Sequence, residues 1–242
     1  MSKQLLQTGR IKLYSQVIPA IFAIGLTLSS CALFSSKPQP TAPVFTNPTA
    51  IINQYLPLSS LQRDILEGTE GDKHVRIERS RKAGTKTFTV HGQSVQALIV
   101  EDREFFNEEL EEVTLDYFAQ ADDGTVYYLG EDVDIYQNGQ VTSHEGAWLY
   151  GVHTDKLGIF FPANPKVGDK FRSEDVPAIT QEDDEVVSVS ESVTVPAGTF
   201  GNCVKIKEIL SDGEIEYKYF APGVGIIKEV PQDGEVNLKS HN

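Results

Sequence analysis

Apolar and polar side chains alternate with a period of two along most of the chain after about residue 51. The alternation is clearest in residues 113–117, 127–135, 187–195 and 215–219, and turn-forming pairs of glycine with aspartate or asparagine separate such runs. This period is typical of antiparallel strands that bury their apolar face and expose their polar face. The pattern therefore predicts an all-β fold with a single antiparallel domain, built as a curved sheet, a half-barrel or a sandwich.

One segment at the start of this domain supports two interpretations. Ser59 and the residues up to Gln62 have the spacing of a helix capping box, and Gly68 is suited to end a short helix. Residues 63–67 fit a strand equally well. The sequence leaves both alternatives open, so one short N-terminal helix remains part of the prediction.

The N-terminus has the pattern of an export signal. Residues 1–30 contain three basic and no acidic residues, and an apolar stretch runs from Val17 to Leu28. This stretch is shorter than the roughly 20 residues that a permanent membrane-spanning helix needs. Leu28-Ser29-Ser30-Cys31 resembles the lipobox of bacterial lipoproteins. The resemblance implies that the thiol of Cys31 receives a diacylglyceryl group and that cleavage leaves this cysteine as an acylated, palmitate-bearing N-terminus. The alternative is an ordinary cleaved signal peptide with a cysteine near the cut.

These features divide the chain into three parts. Residues 1–30 form the signal peptide, residues 31–50 form the lipidated cysteine and a proline-rich tether, and residues 51–242 form the β domain. We expect an extracytoplasmic protein whose lipid anchor holds it to a bacterial membrane. Ala32 follows the cysteine, which resembles the pattern sent to the periplasmic face of the outer membrane in cells that have one.

The charge balance narrows the choice of partners. The chain has 21 basic and 35 acidic residues and a net charge of −14, and no tract is rich in lysine and arginine. Direct binding of nucleic acid is therefore not expected, because such binding needs cations that neutralise phosphates. Loss of the three basic residues of the signal peptide makes the mature chain still more acidic. Anionic lipid headgroups repel such a body.

Several residues could carry chemistry. Glu131 and Glu191 share the register of the apolar positions on their strands, and two carboxylates on an apolar side can act as a general acid and base. The alternative is a bulge that returns each to water. His144 lies beside Glu145 and could act as a base. Cys203 is a conceivable nucleophile, although a buried, inert thiol is the simpler interpretation.

Two aspartates and the single tryptophan are the candidate binding residues. Asp132 and Asp134 share a face of their strand and could offer two oxygens to a calcium ion, although an exposed polar face beside a hairpin is the favoured interpretation. Trp148 could line a binding site or anchor the core. The histidines are too few for a convincing metal site, and no cofactor-binding or standard hydrolase motif is present. Neither a metal nor a cofactor is expected.

Two segments resemble a known group of proteins. Residues 116–148, from Asp116-Tyr-Phe-Ala-Gln to Gly146-Ala-Trp148, and residues 195–225, with Val195-Pro-Ala-Gly-Thr-Phe200, are similar to the signatures of an uncharacterised family of exported bacterial β-rich proteins. The resemblance implies export and a β-rich fold. It implies no activity, substrate or catalytic residue.

Together these observations favour a membrane-anchored, non-enzymatic binding or envelope-associated module. We expect it to present an apolar cavity or sheet face to a lipid-like ligand or an envelope protein. One alternative is a hydrolase that uses Glu131 and Glu191 or the region of His144. Another is a purely structural lipoprotein of the envelope.

Overall fold

The computed structural model describes residues 42–242, which form one antiparallel sheet. It has no helix in this part of the chain, so the all-β prediction is confirmed and the short helix after Ser59 is wrong. The strand interpretation holds there instead. The fourteen strands are β1 (Asp64–Glu70), β2 (Lys73–Val90), β3 (Gln93–Phe106), β4 (Glu109–Gln120), β5 (Val126–Gln137), β6 (Gln140–Ser143), β7 (Trp148–Leu149), β8 (Gly158–Phe161), β9 (Lys170–Val176), β10 (Thr180–Val195), β11 (Gly198–Ile209), β12 (Ile215–Ala221), β13 (Gly225–Val230) and β14 (Gly234–His241).

The strand order follows the chain almost throughout. It runs β6-β5-β4-β3-β2-β1-β14-β13-β12-β11-β10-β9, and β7 and β8 pair with the free edge of β5. Because β1 pairs with both β2 and β14, the last strand joins the two halves of the sheet. All these pairs are antiparallel, as the short turns between the strands require.

The sheet curls until its two ends meet, but its ladder of strand pairs is not closed. β8, at one end, lies beside β9 at the other: a Cβ placed on Gly158 would be 1.8 Å from the carbonyl oxygen of Ser173. Nearby, the indole Nε1 of Trp148 donates a hydrogen bond of 3.2 Å to Glu174 Oε1. Among the predicted alternatives, the structure is therefore a strongly curved sheet, close to a barrel in shape.

Each face of the sheet has its own apolar core. The larger core fills the concave face and takes residues from both ends of the sheet, including Trp148, Phe161, Val186 and Leu66. A smaller core on the other face includes Phe88, Val95, Tyr117 and Leu129. Alternation along a strand sends successive side chains to the two faces, so strands such as β4 and β5 contribute to both cores.

The two ends of the curled sheet differ. We call one end the base, with the turns at residues 91–92, 121–125, 196–197 and 222–224, and the other the rim, with the turns at residues 71–72, 107–108, 138–139, 210–214 and 231–233. Residues 51–61 close the base. Ile51, Leu56 and Leu58 are buried in the concave core, and Asn53 Nδ2 donates hydrogen bonds to the carbonyls of Gly124 and Pro162 at 3.0 and 3.2 Å. The molecule is thus a cup, closed below.

The described chain reaches this cup at its base. Phe45 is buried against the outer core, with its ring centroid 5.6 Å from that of Tyr127, and the Thr46 amide donates a 2.8 Å hydrogen bond to Asp122 in a base turn. The last residues of the segment assigned to the tether therefore lie on the domain. The signal peptide, Cys31 and the tether up to residue 41 lie outside the described residues. Over residues 42–242, no helix is long and apolar enough to span a membrane.

Candidate functional site: an acidic cavity inside the cup

A cavity of about 160 Å³ lies inside the cup. Ten of its lining residues are aspartate or glutamate, and only Arg79 and Lys218 are cationic. The acidic residues come from seven strands, β1, β3, β4 and β10 to β13. One of these acidic residues, Glu70, lies next to a rim turn. Leu56 and Leu58 of the base segment line the opposite end of the cavity. The cavity therefore extends from the base segment to the rim turns, with acidic residues along its length.

The strand register explains how so many carboxylates face inward. Glu208 on β11 stands directly opposite Asp184 on β10 and Glu216 on β12. Glu229 on β13 stands directly opposite Lys218 on β12. Directly opposite residues share a face of the sheet. These strands therefore bring a continuous patch of charged side chains to the concave face, above the apolar core.

The sequence pattern predicts the opposite orientation for β12. It expects Ile215 to be buried and the alternating charged residues to face water, yet Lys218 is buried and Ile215 is 40% exposed. The expectation fails because the concave face is not apolar along its whole length. Near the rim the inner positions belong to charged residues, which interact with one another across the cavity. No single-strand pattern distinguishes these from surface charges.

Arg79 is the cation on one side of the cavity. Its Nε and Nη2 donate hydrogen bonds to Asp102 at distances between 2.6 and 3.0 Å, and its Nη2 lies 3.7 Å from Glu229 Oε1. Burial on its own would lower the pKa of Arg79, but the charges of Asp102 and Glu229 outweigh that effect and raise it. Arg79 is therefore a fixed positive charge whose strongest contacts are made to Asp102.

Lys218 is the cation on the other side. Its Nζ lies 2.7 Å from Glu208 Oε2, and both side chains are only 8% exposed. Burial raises the pKa of Glu208, while Lys218 opposes the shift. Burial and the neighbouring carboxylate of Glu208 also raise the pKa of Asp184 well above its usual range. Burial raises the pKa of Glu216 to about 8, because one lysine cannot offset several nearby carboxylates.

Asp64 is the buried carboxyl group of the lining that lies at the base end of β1. Its side chain is 5% exposed, and its buried Oδ1 accepts no hydrogen bond. His241 lies beside that atom, with its Nδ1 3.7 Å away. Burial raises the pKa of Asp64 to about 6, although Arg79 opposes the shift. Glu229 Oε1 is a second buried oxygen without a hydrogen bond. An unpaired buried acceptor is costly, so both atoms favour a donor from a ligand.

The carboxylates do not form a metal centre. No group of three or more histidine, cysteine, aspartate or glutamate side chains within residues 42–242 is arranged to hold a metal ion. Calcium and magnesium need several oxygens converging at about 2.0–2.6 Å. The negative charge is instead distributed around the cavity wall.

The structure places the sequence-predicted pair Glu131 and Glu191 on strands that are not neighbours, β5 and β10, and neither lines the cavity. Glu131 is buried and stands opposite Asp116 and Trp148. A bulge at Gly130 puts one extra residue into β5, so Glu131 faces the concave side while Leu129 packs in the outer core.

Glu191 lies between two register shifts in β10 and is half-buried. Its cross-strand partner is Cys203, whose thiol is buried. Burial and the charge of Glu191 raise the pKa of that thiol, which disfavours the reactive thiolate.

The remaining candidates lie away from the cavity. Asp132 accepts hydrogen bonds from Tyr117 and Lys86, and His144 Nδ1 lies 2.9 Å from Asp134 Oδ1 with its side chain 71% exposed. Trp148 is fully buried where the two ends of the sheet meet. None of the candidate residues that the sequence indicates lines the cavity. The single available signal was the density of acidic residues at alternate positions of residues 182–184 and 214–216.

Comparisons with known proteins add little to this description. No protein-family model and no curated protein matches the chain. A crystal structure of a "putative lipoprotein" from Parabacteroides distasonis is similar to 78% of this chain and 99% of its own, with a TM-score of 0.42 and 11% sequence identity. At that level of similarity it assigns neither a family nor a function to this chain.

Proposed function

We propose that this protein is a ligand-binding module of the bacterial envelope, held to a membrane by a lipid on Cys31, and that its cup binds a small, positively charged molecule. The observation that carries the ligand proposal is the acidic cavity, with ten acidic and two basic lining residues. A cavity lined by one sign of charge concentrates ligands of the opposite sign. This wall suits a cationic ligand better than the neutral lipid-like ligand that the sequence suggests.

The position of the cavity is consistent with such a role. The chain that leads back to Cys31 reaches the domain at the base, where Phe45 and Thr46 are fixed. The carboxylates of Glu70 and Glu216 lie towards the rim, at the other end of the sheet. A module tethered through its base presents its cavity to the aqueous phase, and its acidic surface keeps it off anionic lipid.

Binding is tested with the purified mature chain and three classes of small molecule. Isothermal titration calorimetry and thermal shift are measured with organic and metal cations, with neutral sugars and with anions such as phosphate. We expect saturable binding for at least one cation and none for the anions. Binding of no cation at all would refute the proposed ligand class.

The anchor is tested separately. Intact-mass analysis of the processed protein should show a diacylglyceryl group and an amide-linked acyl chain on Cys31, and Cys31→Ala should release the protein from the membrane fraction. A processed chain with a free thiol at Cys31 would refute the anchor and leave the cavity proposal standing.

A further inference from the structure

We infer that the ligand of this cavity is a linear alkyl di- or polyamine whose ammonium groups contact Asp64 and Glu229. This inference rests on the proposed function and makes it more specific. The carboxylates around Arg79, the distribution of charge and the apolar part of the wall each support it.

Two buried oxygens that accept no hydrogen bond define the ammonium positions. Asp64 Oδ1 and Glu229 Oε1 are buried, line the same cavity and accept no hydrogen bond. Both residues lie around Arg79, which is opposite Asp64 in the sheet and 3.7 Å from Glu229, but its hydrogen bonds go to Asp102. A primary ammonium group carries three N–H donors and one positive charge. One such group can therefore donate to Asp64 and another to Glu229, and together they offset the excess negative charge.

The spread of the remaining charge favours several ammonium groups over one compact ion. Glu182, Glu208 and Glu216 lie on β10, β11 and β12, the strands that continue the wall from Glu229 on β13, and Lys218 is the cation among them. A metal ion would need these oxygens to converge, and within the described chain they do not. A linear polyamine places its charges several ångströms apart along a flexible chain, which matches carboxylates distributed around a wall.

The apolar part of the lining fits the carbon chain of such a ligand. Val75, Ile77, Val100, Phe118 and Ile226 line the cavity together with the carboxylates. Methylene groups gain free energy by leaving water for such a surface, whereas a hydrated metal ion gains nothing from it. A volume of about 160 Å³ holds on the order of ten water-sized groups, which suits a ligand of spermidine's size.

The experiment is calorimetric titration of the full mature chain with spermidine, with putrescine, calcium chloride and tetramethylammonium as comparison probes. Asp64→Asn and Glu229→Gln keep the shape of each side chain and remove its charge. We expect each to weaken spermidine binding at least tenfold. Asp72→Asn is the matched control, because Asp72 is exposed in a rim turn and does not line the cavity, and its binding should equal that of the wild type. Thermal melts verify that every variant is folded.

The possible results separate the two proposals. Spermidine binding that is weakened in either cavity variant and unchanged in Asp72→Asn supports the inference, and a second variant is available if one does not fold. Binding of calcium or tetramethylammonium without binding of spermidine overturns the inference and leaves the proposed function intact. Spermidine binding that is equal in all variants overturns the assigned subsite. Binding of no cation overturns both proposals.

Discussion

Four carboxyl groups in or beside the cavity are held in surroundings that disfavour their charged form. Asp64, Asp184, Glu208 and Glu216 all have raised pKa values, and burial is the largest cause in each case. Such groups destabilise the empty protein once they ionise. Strongly perturbed pKa values are common at functional sites, and a cation bound nearby would favour the ionised form of these groups.

Glu216 gives a pH-dependent prediction. Its pKa is about 8 in the folded protein and 4.5 without the fold, so between these values the folded state holds a proton that the unfolded state lacks. The stability conferred by that proton is complete below pH 4.5 and is lost as the pH rises towards 8, by about 1.4 kcal/mol for each pH unit. Urea unfolding of Glu216→Gln should therefore show a smaller loss of stability between pH 6 and pH 8 than the wild type.

The control for this prediction is Glu109→Gln, at an exposed position outside the cavity. Its unfolding free energy should follow the wild-type curve at every pH. Parallel curves for the wild type and Glu216→Gln would mean that Glu216 is ionised at neutral pH in the folded protein. In that case the raised pKa would be wrong.

Lys218 gives a second prediction. Its Nζ is 2.7 Å from Glu208 Oε2, and both side chains are almost fully buried. Lys218→Met leaves a buried carboxylate without its nearest cation, which we expect to cost about 3–5 kcal/mol in unfolding free energy at pH 8. Adding Glu208→Gln should recover part of that loss, because it removes the uncompensated charge. Chemical denaturation of both variants measures the difference, and additive effects of the two substitutions would contradict the coupling.

At the scale of strands, the sequence predicts where the strands and turns lie better than which residues face inward. Runs of alternation and the Asp-Gly and Asn-Gly pairs correctly indicate antiparallel strands and their turns, such as the turn at residues 138–139. The inward orientation of Glu216 and Lys218 could not be predicted, because it depends on partners contributed by β11 and β13. Glu131 and Leu129 are two residues apart but lie on opposite faces of the sheet, because the bulge at Gly130 interrupts the alternation. The pattern of apolar and polar residues does not reveal such a bulge.

The bulge at Gly130 itself is testable. Gly130 has φ of +122°, and a Cβ there would lie 2.2 Å from the carbonyl oxygen of Trp148, so alanine is excluded by both conformation and space. Gly130→Ala should cost more than about 3 kcal/mol, since the paired strand must move. The control is Gly139→Ala, where φ is +75° but no atom lies within 4 Å. It should cost about 1 kcal/mol. Equal losses in thermal unfolding would show that β7 does not pack against Gly130 in this way.

At the scale of the molecule, the cup depends on how its open sheet is held together. The ladder of strand pairs ends at β9, so other contacts must stabilise the curvature of the sheet. These are the packing of β8 against β9, the Trp148–Glu174 hydrogen bond and the base segment. The base segment contacts the β4–β5 turn through the side chain of Asn53. It also contacts the β12–β13 turn, where the Gly223 amide donates a hydrogen bond of 2.7 Å to the carbonyl oxygen of Gln54. Residues that close the base thus also fix the distance between the two halves of the cavity wall.

Two adjacent isoleucines test this dependence. Ile51 is fully buried in the concave core, whereas Ile52 is 72% exposed. Ile51→Ala removes packing from the base and should lower the unfolding free energy by about 2–5 kcal/mol, while Ile52→Ala should change it by less than about 0.5 kcal/mol. Because the base positions the strands on both sides of the cavity, Ile51→Ala should also weaken cation binding in calorimetry at a temperature where the variant is still folded. Loss of stability with unchanged binding would mean that the rim holds its own geometry and that the base only supports the core.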